Sequence, residues 1–206
     1  GGSVIDSSKA IAYGVPYEGD VWDFYVGKAE AETCLPVATV LTIPAAGSEM
    51  SEASVITNED GDIKLGYSNN ISRPKFAIMN PERTFTLPAY QTAAGVTDIM
   101  LHTMERYFNP DCDMTVTDAI AEALMRTMMD SVFAVLENPE DYRNRAQIMW
   151  AGSLAHNDVT GNRLNGDWAT HQIEHELSAM FDVTHGAGLA VVWPSWARYV
   201  MKENVS

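Results

Sequence analysis

The sequence predicts an α/β N-terminal part followed by an all-α helical domain. Short β-branched runs and one hairpin pattern occur before about residue 87, and both are typical of strands. No strand pattern recurs after Leu87-Pro88, and capping and breaking residues divide the second half into long helical segments. The predicted secondary structure therefore changes once along the chain, from a mixture of strands and helices to helices alone. We place a domain boundary at this change, with domains over residues 1–87 and 88–206.

Composition limits the functions that the chain could perform. The sequence has 206 residues and a formal net charge of −15. This charge argues against a nucleic-acid partner, because phosphates would be repelled. No apolar run is long enough to cross a bilayer, so no membrane partner is expected. Two cysteines cannot build a disulfide framework, and we expect a reducing, cytoplasmic compartment.

The first predicted element is a helix that begins with glycines. Gly1 and Gly2 precede Ser3 in a stretch that continues to Ala10. The backbone N–H groups and the dipole at such a helix start suit a pyrophosphate. Gly-Gly-Ser is also common in flexible linkers, so these residues alone leave both interpretations open.

Strand patterns follow between residues 35 and 80. Strands are predicted over Leu35–Ile43, Ala53–Thr57, Ile63–Tyr67 and Phe76–Met79. The second and third of these flank Asn58-Glu59-Asp60-Gly61, which predicts a hairpin with a glycine in its turn. A loop of small residues, Pro44–Glu49, suits a close approach of the backbone to a ligand.

Helical segments fill the second half of the chain. They are predicted over Ala89–Phe108, over Thr115–Glu137, after Asn138-Pro139-Glu140-Asp141, after the loop Gly161–Gly166, and from near His185 to about Lys202. Asn109-Pro110 should end the first of them. Thr115 with Asp118 predicts a capping box for the second. Pro139 is expected at the first helical position of the third.

A carboxylate and several histidines are concentrated in this helical half. His171 and His175 are four residues apart, which places both imidazoles on one face of a helix. Asp98 and His102 repeat that spacing, and His185 follows beside glycines. These side chains are ligands that zinc or iron(II) accepts. The pattern therefore predicts a metal site, and the alternative is a set of hydrogen-bonded histidines in the core.

Five motifs occur in an order that resembles one enzyme family. They are Gly1-Gly2-Ser3-x-x-Asp6-x-x-Lys9, the loop Leu41–Glu49, Gly95-x-x-Asp98-x-x-x-His102, Asp167-Trp168-x-x-His171-x-x-Glu174-His175, and His185-Gly186. In this order they resemble the dinucleotide motif, the loop over the nicotinamide and the metal-site motifs of the iron-dependent (group III metal-containing) alcohol dehydrogenases. The resemblance is closest to the butanol dehydrogenases and covers nearly the whole chain.

The resemblance implies roles for particular residues. The family's metal ligands fall on Asp98, His102, His171 and His185. The family's catalytic histidine beside the nicotinamide, which is not a ligand, falls on His175. Cofactor-binding positions fall on Gly1, Gly2, Ser3, Thr42, Lys64 and Thr86. The implied architecture is dehydroquinate synthase-like, with a partial dinucleotide-binding domain before the metal-binding helices.

The implied reaction is that of a metal-dependent alcohol dehydrogenase or aldehyde reductase. Hydride would pass between NAD(P)(H) and a primary alcohol or aldehyde bound to Fe(II) or Zn(II). The expected cofactors are thus Fe²⁺ or Zn²⁺ and NAD(H) or NADP(H), and the expected partner is a small alcohol or aldehyde, with a homodimer left open. Members of this family are nearly twice as long. We therefore expect this chain to be an internal segment that is inactive by itself.

Three alternatives accompany this interpretation. His171-Gln172-Ile173-Glu174-His175 also fits the His-x-x-Glu-His pattern of inverted zinc proteases, in which both histidines bind zinc. A non-redox metal enzyme of the same architecture, such as a dehydroquinate synthase-like lyase, is the second. A non-enzymatic helical interaction module is the third. Dehydrogenase assays with alcohols and aldehydes would separate these classes.

Overall fold

The N-terminal part mixes helices and strands, as predicted. The computed structural model describes residues 1–108, 114–161 and 166–203. The first part comprises α1 (Gly2–Gly14), α2 (Trp22–Tyr25), β1 (Ala38–Val40), β2 (Ala53–Asn58), β3 (Ile63–Ser68) and β4 (Phe76–Ile78), with 3₁₀ turns at Asn70–Ser72 and Pro81–Thr84. The sequence did not predict α2 or the two 3₁₀ turns. Each of these is only one turn long, too short to show a period.

The four strands form two separate pairs. β2 and β3 pair antiparallel, with Ala53 opposite Ser68, and this pair is the predicted hairpin. β1 and β4 pair parallel over three residues each. β1 is therefore much shorter than the predicted strand over residues 35–43, because β4 offers it only a short partner.

Within the described residues, the second part contains helices and no strand. The helices are α3 (Ala89–Tyr107), α4 (Thr115–Glu137), α5 (Tyr142–Ala155), α6 (Ala169–Phe181) and α7 (His185–Glu203). The predicted fold class is thus confirmed. The proposed end of α3 at Asn109-Pro110, most of the loop between Gly161 and Gly166, and Cys112 lie outside the described residues. The domain boundary near residue 87 stays a prediction.

α4 has the predicted bounds and α5 follows the predicted capping segment, but the predicted caps of both helices were wrong in detail. The amide of Asp118 donates to the carbonyl of Met114, so Met114 is the N-cap of α4 and Thr115 is already helical. The amide of Arg145 donates to the carbonyl of Asp141, whose side chain also accepts from the amide of Asn144. Asp141 therefore caps α5, and the predicted proline lies in the turn before it.

Three apolar clusters hold the described elements together. The largest lies between α3, α4 and α5 and includes Ile99 and Met128, both fully buried. An aromatic cluster around Tyr13 joins α1 and α2 to the hairpin. A small cluster of Ile5, Leu41 and Met149 packs α1 and the residue after β1 against α5. The strand-bearing part and the helices are thus in direct contact.

None of the described helices combines the length and the apolar character that crossing a bilayer requires.

Candidate metal centre and cofactor cleft

A cleft of about 1180 Å³ lies between the N-terminal part and the helices. The start of α1, the hairpin, α3, α6 and the start of α7 contribute to its walls. Most of the residues singled out in the sequence line it: Gly1, Gly2, Ser3, Lys64, Asp98, His102, His171, His175 and His185. The packing of distant segments thus brings the predicted metal and cofactor residues to one space.

Asp98, His171 and His185 form a cluster that could hold a metal ion. They come from α3, α6 and the first turn of α7, and their ligand atoms all lie within 4.8 Å of one another. Nε2 of His171 lies 3.6 Å from Oδ1 of Asp98, and Nε2 of His185 lies 3.7 Å from the same oxygen. These separations are too long for direct hydrogen bonds. They suit donors that surround an ion at about 2 Å from each.

Two of these ligand atoms are buried without a partner. Oδ1 of Asp98 and Nε2 of His171 make no hydrogen bond within the part of the chain that the structure describes. Burying an unpaired polar atom is costly, and such atoms in folded proteins need an explanation. A cation between the two atoms would satisfy both, so the donor set fits a divalent metal.

His102 lies beside this cluster but not in it. Its Nδ1 lies 3.0 Å from the backbone carbonyl oxygen of Asp98, with which it forms a hydrogen bond, and 3.1 Å from Oδ1 of the same residue, with which it forms none. Its ring centroid is 4.6 Å from that of His171. The structure therefore brings three of the four predicted ligands together and places the fourth next to them. If Nδ1 donates to the carbonyl, Nε2 of His102 is the nitrogen left to act as a ligand.

His175 occupies a different position from the other histidines. It groups with Glu174 and His185 rather than with Asp98, and its ring centroid lies 6.5 Å from that of His171. Burial, with further contributions from Lys64 and His185, lowers the pKa of His175 to about 3. The side chain is therefore a neutral imidazole that lines the cleft.

The charge state of the cluster follows from burial and close partners. Burial by itself would raise the pKa of Asp98, but His102 and His185 hold it well below its usual range. Burial would also lower the pKa of His171, yet the nearby carboxylates of Asp98 and Glu105 raise it to about 9. Without metal, His171 is thus a protonated ring between two carboxylates. A metal ion that binds its Nε2 must displace that proton.

Two buried glutamates behind the histidines were not predicted as site residues. Glu105 accepts hydrogen bonds from Nδ1 of His171 and from both the amide and the hydroxyl of Thr170. Glu174 accepts from Nδ1 of His185. A weak signal existed in the sequence, because Glu105 follows Asp98 by two helical turns and therefore shares its face. Spacing alone could not show which ring each glutamate would meet.

Small residues allow the start of α7 to approach the other site helices. A Cβ on Gly186 would lie 1.9 Å from the carbonyl oxygen of Ala94 on α3. A Cβ on Gly188 would lie 2.7 Å from the side chain of Glu174 on α6. Only glycine, which has no Cβ, allows α7 to come this close to α3 and α6. This close packing places His185 beside Asp98. This contact is the physical reason for the glycines beside His185.

The cofactor residues predicted from the sequence fall into two groups. Gly1, Gly2, Ser3 and Lys64 line the cleft, and Nζ of Lys64 lies 3.7 Å from the carboxylate of Glu174. Thr42 and Thr86 are exposed and do not contribute to the cleft wall. The structure thus brings four of the six to the cleft.

Buried polar groups anchor α1 beside the cleft. The carboxylate of Asp6 accepts from the hydroxyl of Ser48 and from the amide of Val55. Nζ of Lys9 donates to the carbonyls of Ser51 and Ala53 at 2.9 and 2.7 Å. These bonds tie the helix that begins with the glycines to the loop before β2 and to β2 itself. The orientation of a phosphate-binding helix start would depend on them.

Stacked side chains form the wall of the cleft near His102. The guanidinium of Arg106 lies 4.5 Å from the ring centre of Trp168, and one of its nitrogens is 2.9 Å from Nδ1 of His156. Burial lowers the pKa of Arg106 to about 10. The His156 ring lies 4.3 Å from that of His102. Sequence reasoning gave neither Arg106 nor His156 a role, because their proximity depends on the packing of α3 against the end of α5.

Two sequence models of one family match the chain. The model described as "Fe-containing alcohol dehydrogenase family, C-terminal" matches residues 92–206. The model described as "Iron-containing alcohol dehydrogenase" matches residues 1–81. The two matches cover nearly all of the chain and confirm the resemblance seen in its motifs.

Curated relatives and solved structures agree with this match. NADH-dependent butanol dehydrogenase A of Clostridium acetobutylicum is 45% identical over 204 residues, which are 99% of this chain and 52% of the relative. The NADPH-dependent aldehyde reductase YqhD of Escherichia coli is 36% identical over 95% of this chain and 51% of the relative. The crystal structure of NADH-dependent butanol dehydrogenase A from Thermotoga maritima superimposes with a TM-score of 0.96 at 45% identity, covering 99% of this chain and 51% of that one. This chain thus spans about half the length of the relatives that it matches.

Proposed function

This chain belongs to the Fe-containing alcohol dehydrogenase family, and from that premise we propose that the protein transfers hydride between a nicotinamide dinucleotide and a small alcohol or aldehyde. One observation supports this proposal above the others. Two buried and unpaired ligand atoms, on Asp98 and His171, face each other in a cleft that also reaches the glycine-led start of α1. Metal and dinucleotide sites would thus share one space, as hydride transfer requires.

The proposed metal site is built by this chain's own side chains. Asp98, His171 and His185 hold the ion, and His102 supplies the fourth donor through Nε2. Iron(II) is the proposed ion because of the family, although zinc(II) accepts the same donors. A divalent ion bound there supplies Lewis acidity, which polarises an oxygen and lowers the pKa of a hydroxyl.

His175 is the proposed proton acceptor in alcohol oxidation. Its imidazole lines the cleft beside His185, in the space that an alcohol would enter, and imidazole is the side chain that most often exchanges a proton in catalysis. In aldehyde reduction the same ring would return the proton.

The proposed cofactor site uses the start of α1 and the hairpin. The free N–H groups of Gly2 and Ser3 and the helix dipole suit the pyrophosphate, because no side chain caps this helix start. Lys64, held near Glu174, lies on the wall between this helix start and the metal cluster. The butanol dehydrogenase relatives are named as NADH-dependent and YqhD as NADPH-dependent, so both cofactors are tested.

The protease alternative has little structural support. It requires His171 and His175 as joint ligands and Glu174 as a free general base. The two rings belong to different clusters, and Glu174 is fully buried with its carboxylate committed to His185 and Ser178. The match to the dehydrogenase family also argues against a non-redox lyase.

The test is an aldehyde-reduction assay on the whole protein loaded with Fe(II) or Zn(II). Consumption of NADH and NADPH is followed with butanal as substrate, before and after chelation. Asp98→Asn should reduce turnover by more than about 100-fold, since ligands and their supports control both metal affinity and activity. The matched control Asp130→Asn changes an exposed aspartate on α4 and should leave turnover unchanged. Full turnover in the chelated protein or in Asp98→Asn would contradict the proposal.

A further inference from the structure

Two buried glutamates stand behind two of the histidines of the metal cluster. Glu105 on α3 is 1% exposed and Glu174 on α6 is 0% exposed. Each contacts Nδ1 of one histidine, and the Nε2 atoms of both histidines point toward Oδ1 of Asp98. Each histidine is thus held between one carboxylate and the proposed metal position.

Each oxygen of the Glu105 carboxylate accepts at least one hydrogen bond. One of its oxygens accepts from the backbone amide and the hydroxyl of Thr170, and the other accepts from Nδ1 of His171. Both oxygens of Glu105 thus accept from neighbouring donors, which is the arrangement of an ionised carboxylate that can only accept. The His171 nitrogen that faces it must carry a proton.

Glu174 has the equivalent position behind His185. One oxygen accepts from Nδ1 of His185, and the other accepts from the hydroxyl of Ser178, one turn further along α6. The ammonium of Lys64 on β3 lies 3.7 Å from the oxygen that faces His185. The positive charge of Lys64, on the side of the cleft where we propose that the cofactor binds, thus balances the negative charge of Glu174.

We propose that Glu105 and Glu174 are the positioning residues of the metal centre, because each fixes the tautomer and the direction of one histidine ligand. A carboxylate at Nδ1 keeps the proton there and leaves the Nε2 lone pair facing the ion. The same bond makes the imidazole a stronger electron donor and prevents rotation of its ring. This inference rests on the proposed function, since it assumes a metal between Asp98 and the two histidines.

The first test measures metal affinity rather than activity. The full chain is depleted of metal and titrated with Co(II), whose visible absorption reports both binding and the number of ligands. Glu105→Gln and Glu174→Gln keep the side-chain shape but remove the charge, and each should weaken Co(II) binding by about 10- to 100-fold. The control is Glu49→Gln, another buried glutamate, which accepts from Ser153 away from the cluster. It should bind Co(II) with unchanged affinity.

His171→Ala separates a failure of this inference from a failure of the proposed function. Loss of Co(II) binding in His171→Ala, with unchanged affinity in both glutamate variants, would overturn the positioning role and leave the metal centre intact. Unchanged affinity in His171→Ala as well would overturn the metal centre itself. Weaker Co(II) binding in Glu105→Gln and Glu174→Gln, with unchanged binding in the Glu49→Gln control, supports the inference.

A second measurement uses the unmutated chain and therefore does not depend on whether the variants fold. Long-range ¹⁵N–¹H spectra of the Zn(II)-loaded protein, labelled at histidine, show which ring nitrogen carries the proton. We expect the proton on Nδ1 and the metal on Nε2 for both His171 and His185. A proton on Nε2, or coordination through Nδ1, in either ring would overturn the inference.

Discussion

At the scale of single residues, His175 differs from His171 in its surroundings. It lies one helical turn from His171 but belongs to a different cluster, and its ring is neutral. Two histidines one turn apart on the same helix thus have different surroundings, and we propose different roles for them. A ring that only exchanges a proton can be removed without loss of the ion, whereas a ring that binds the ion cannot.

We predict that His175→Ala retains the metal but loses about 10²- to 10⁴-fold in turnover, the usual contribution of a general acid or base. His171→Ala is the matched comparison, and it should lose the ion. Metal analysis after gel filtration, together with the aldehyde-reduction assay, checks both. Equal loss of metal in the two variants would favour joint ligation by His171 and His175 as in a zinc protease.

The buried side chain of Lys9 should make the free energy of unfolding depend on pH. Burial, partly offset by Asp6 and Glu49, lowers its pKa to about 8, below the 10.5 of an unfolded lysine. Between these values the unfolded chain holds more protons than the folded chain, so the contribution of Lys9 to stability rises with pH. Below about pH 8 both states carry the proton, and the contribution is flat.

The expected rise from Lys9 is about 1.5 kcal/mol between pH 8 and pH 9.5, because the slope approaches 1.36 kcal/mol for each pH unit only above the folded pKa. Chemical denaturation at several pH values measures it as a difference between the unmodified chain and Lys9→Met, which should lack the rise. Lys75→Met removes an exposed lysine and should keep it. A rise of equal size in Lys9→Met would rule out Lys9 as its source.

At the scale of elements, the start of α7 depends on its close approach to α3. Gly186→Ala would place a Cβ 1.9 Å from the backbone oxygen of Ala94, which cannot move without shifting α3. We expect a loss of about 1–3 kcal/mol in unfolding free energy, together with weaker metal binding because His185 moves with the helix. Gly66→Ala is the control, since its Cβ would meet only a methyl group of Val55 at 3.5 Å. Equal thermal stability of both variants would contradict this account.

The caps of α4 and α5 give a second prediction for elements. Asp141→Ala removes the side chain that accepts from the amide of Asn144 and should cost about 1 kcal/mol. Thr115→Ala should change little, because Thr115 is the first residue inside α4 and not its cap. Urea denaturation compares the two variants. A larger loss from Thr115→Ala would restore the capping box that the sequence suggested.

At the scale of the whole molecule, the metal cluster joins helices that are far apart in the sequence. Asp98, His171 and His185 come from α3, α6 and α7, so an ion between them would link all three. An ion that binds only the folded chain at 100 times its Kd adds about 2.7 kcal/mol of stability. In a chain of this size, that gain corresponds to a shift of roughly 5–10 °C in Tm.

We therefore expect a chelator to lower the Tm of the metal-loaded chain by roughly this amount. The His171→Ala variant is the control, and chelation should leave its Tm unchanged. Differential scanning calorimetry at fixed pH and metal concentration measures both. An equal shift in the variant would mean that the ion binds elsewhere.

The local sequence was sufficient to predict several features of this protein. β-branched runs with a glycine turn predicted the hairpin, four-residue spacings paired Asp98 with His102 and His171 with His175, and the ordered motifs identified the family. These features depend on neighbours within about one helical turn, so they can be read from the chain. The shortness of β1 is different, because a strand extends only as far as its partner does.

The tertiary structure alone decided how the site is assembled. It turned Nε2 of His171 and His185 toward Asp98, left His102 beside the cluster, and put Glu105 and Glu174 behind the rings. Each of these relations except the position of His102 joins residues on two different helices, and it exists only because α3, α6 and α7 pack together. Periodicity shows which face of a helix a residue occupies, but only packing determines what that face meets.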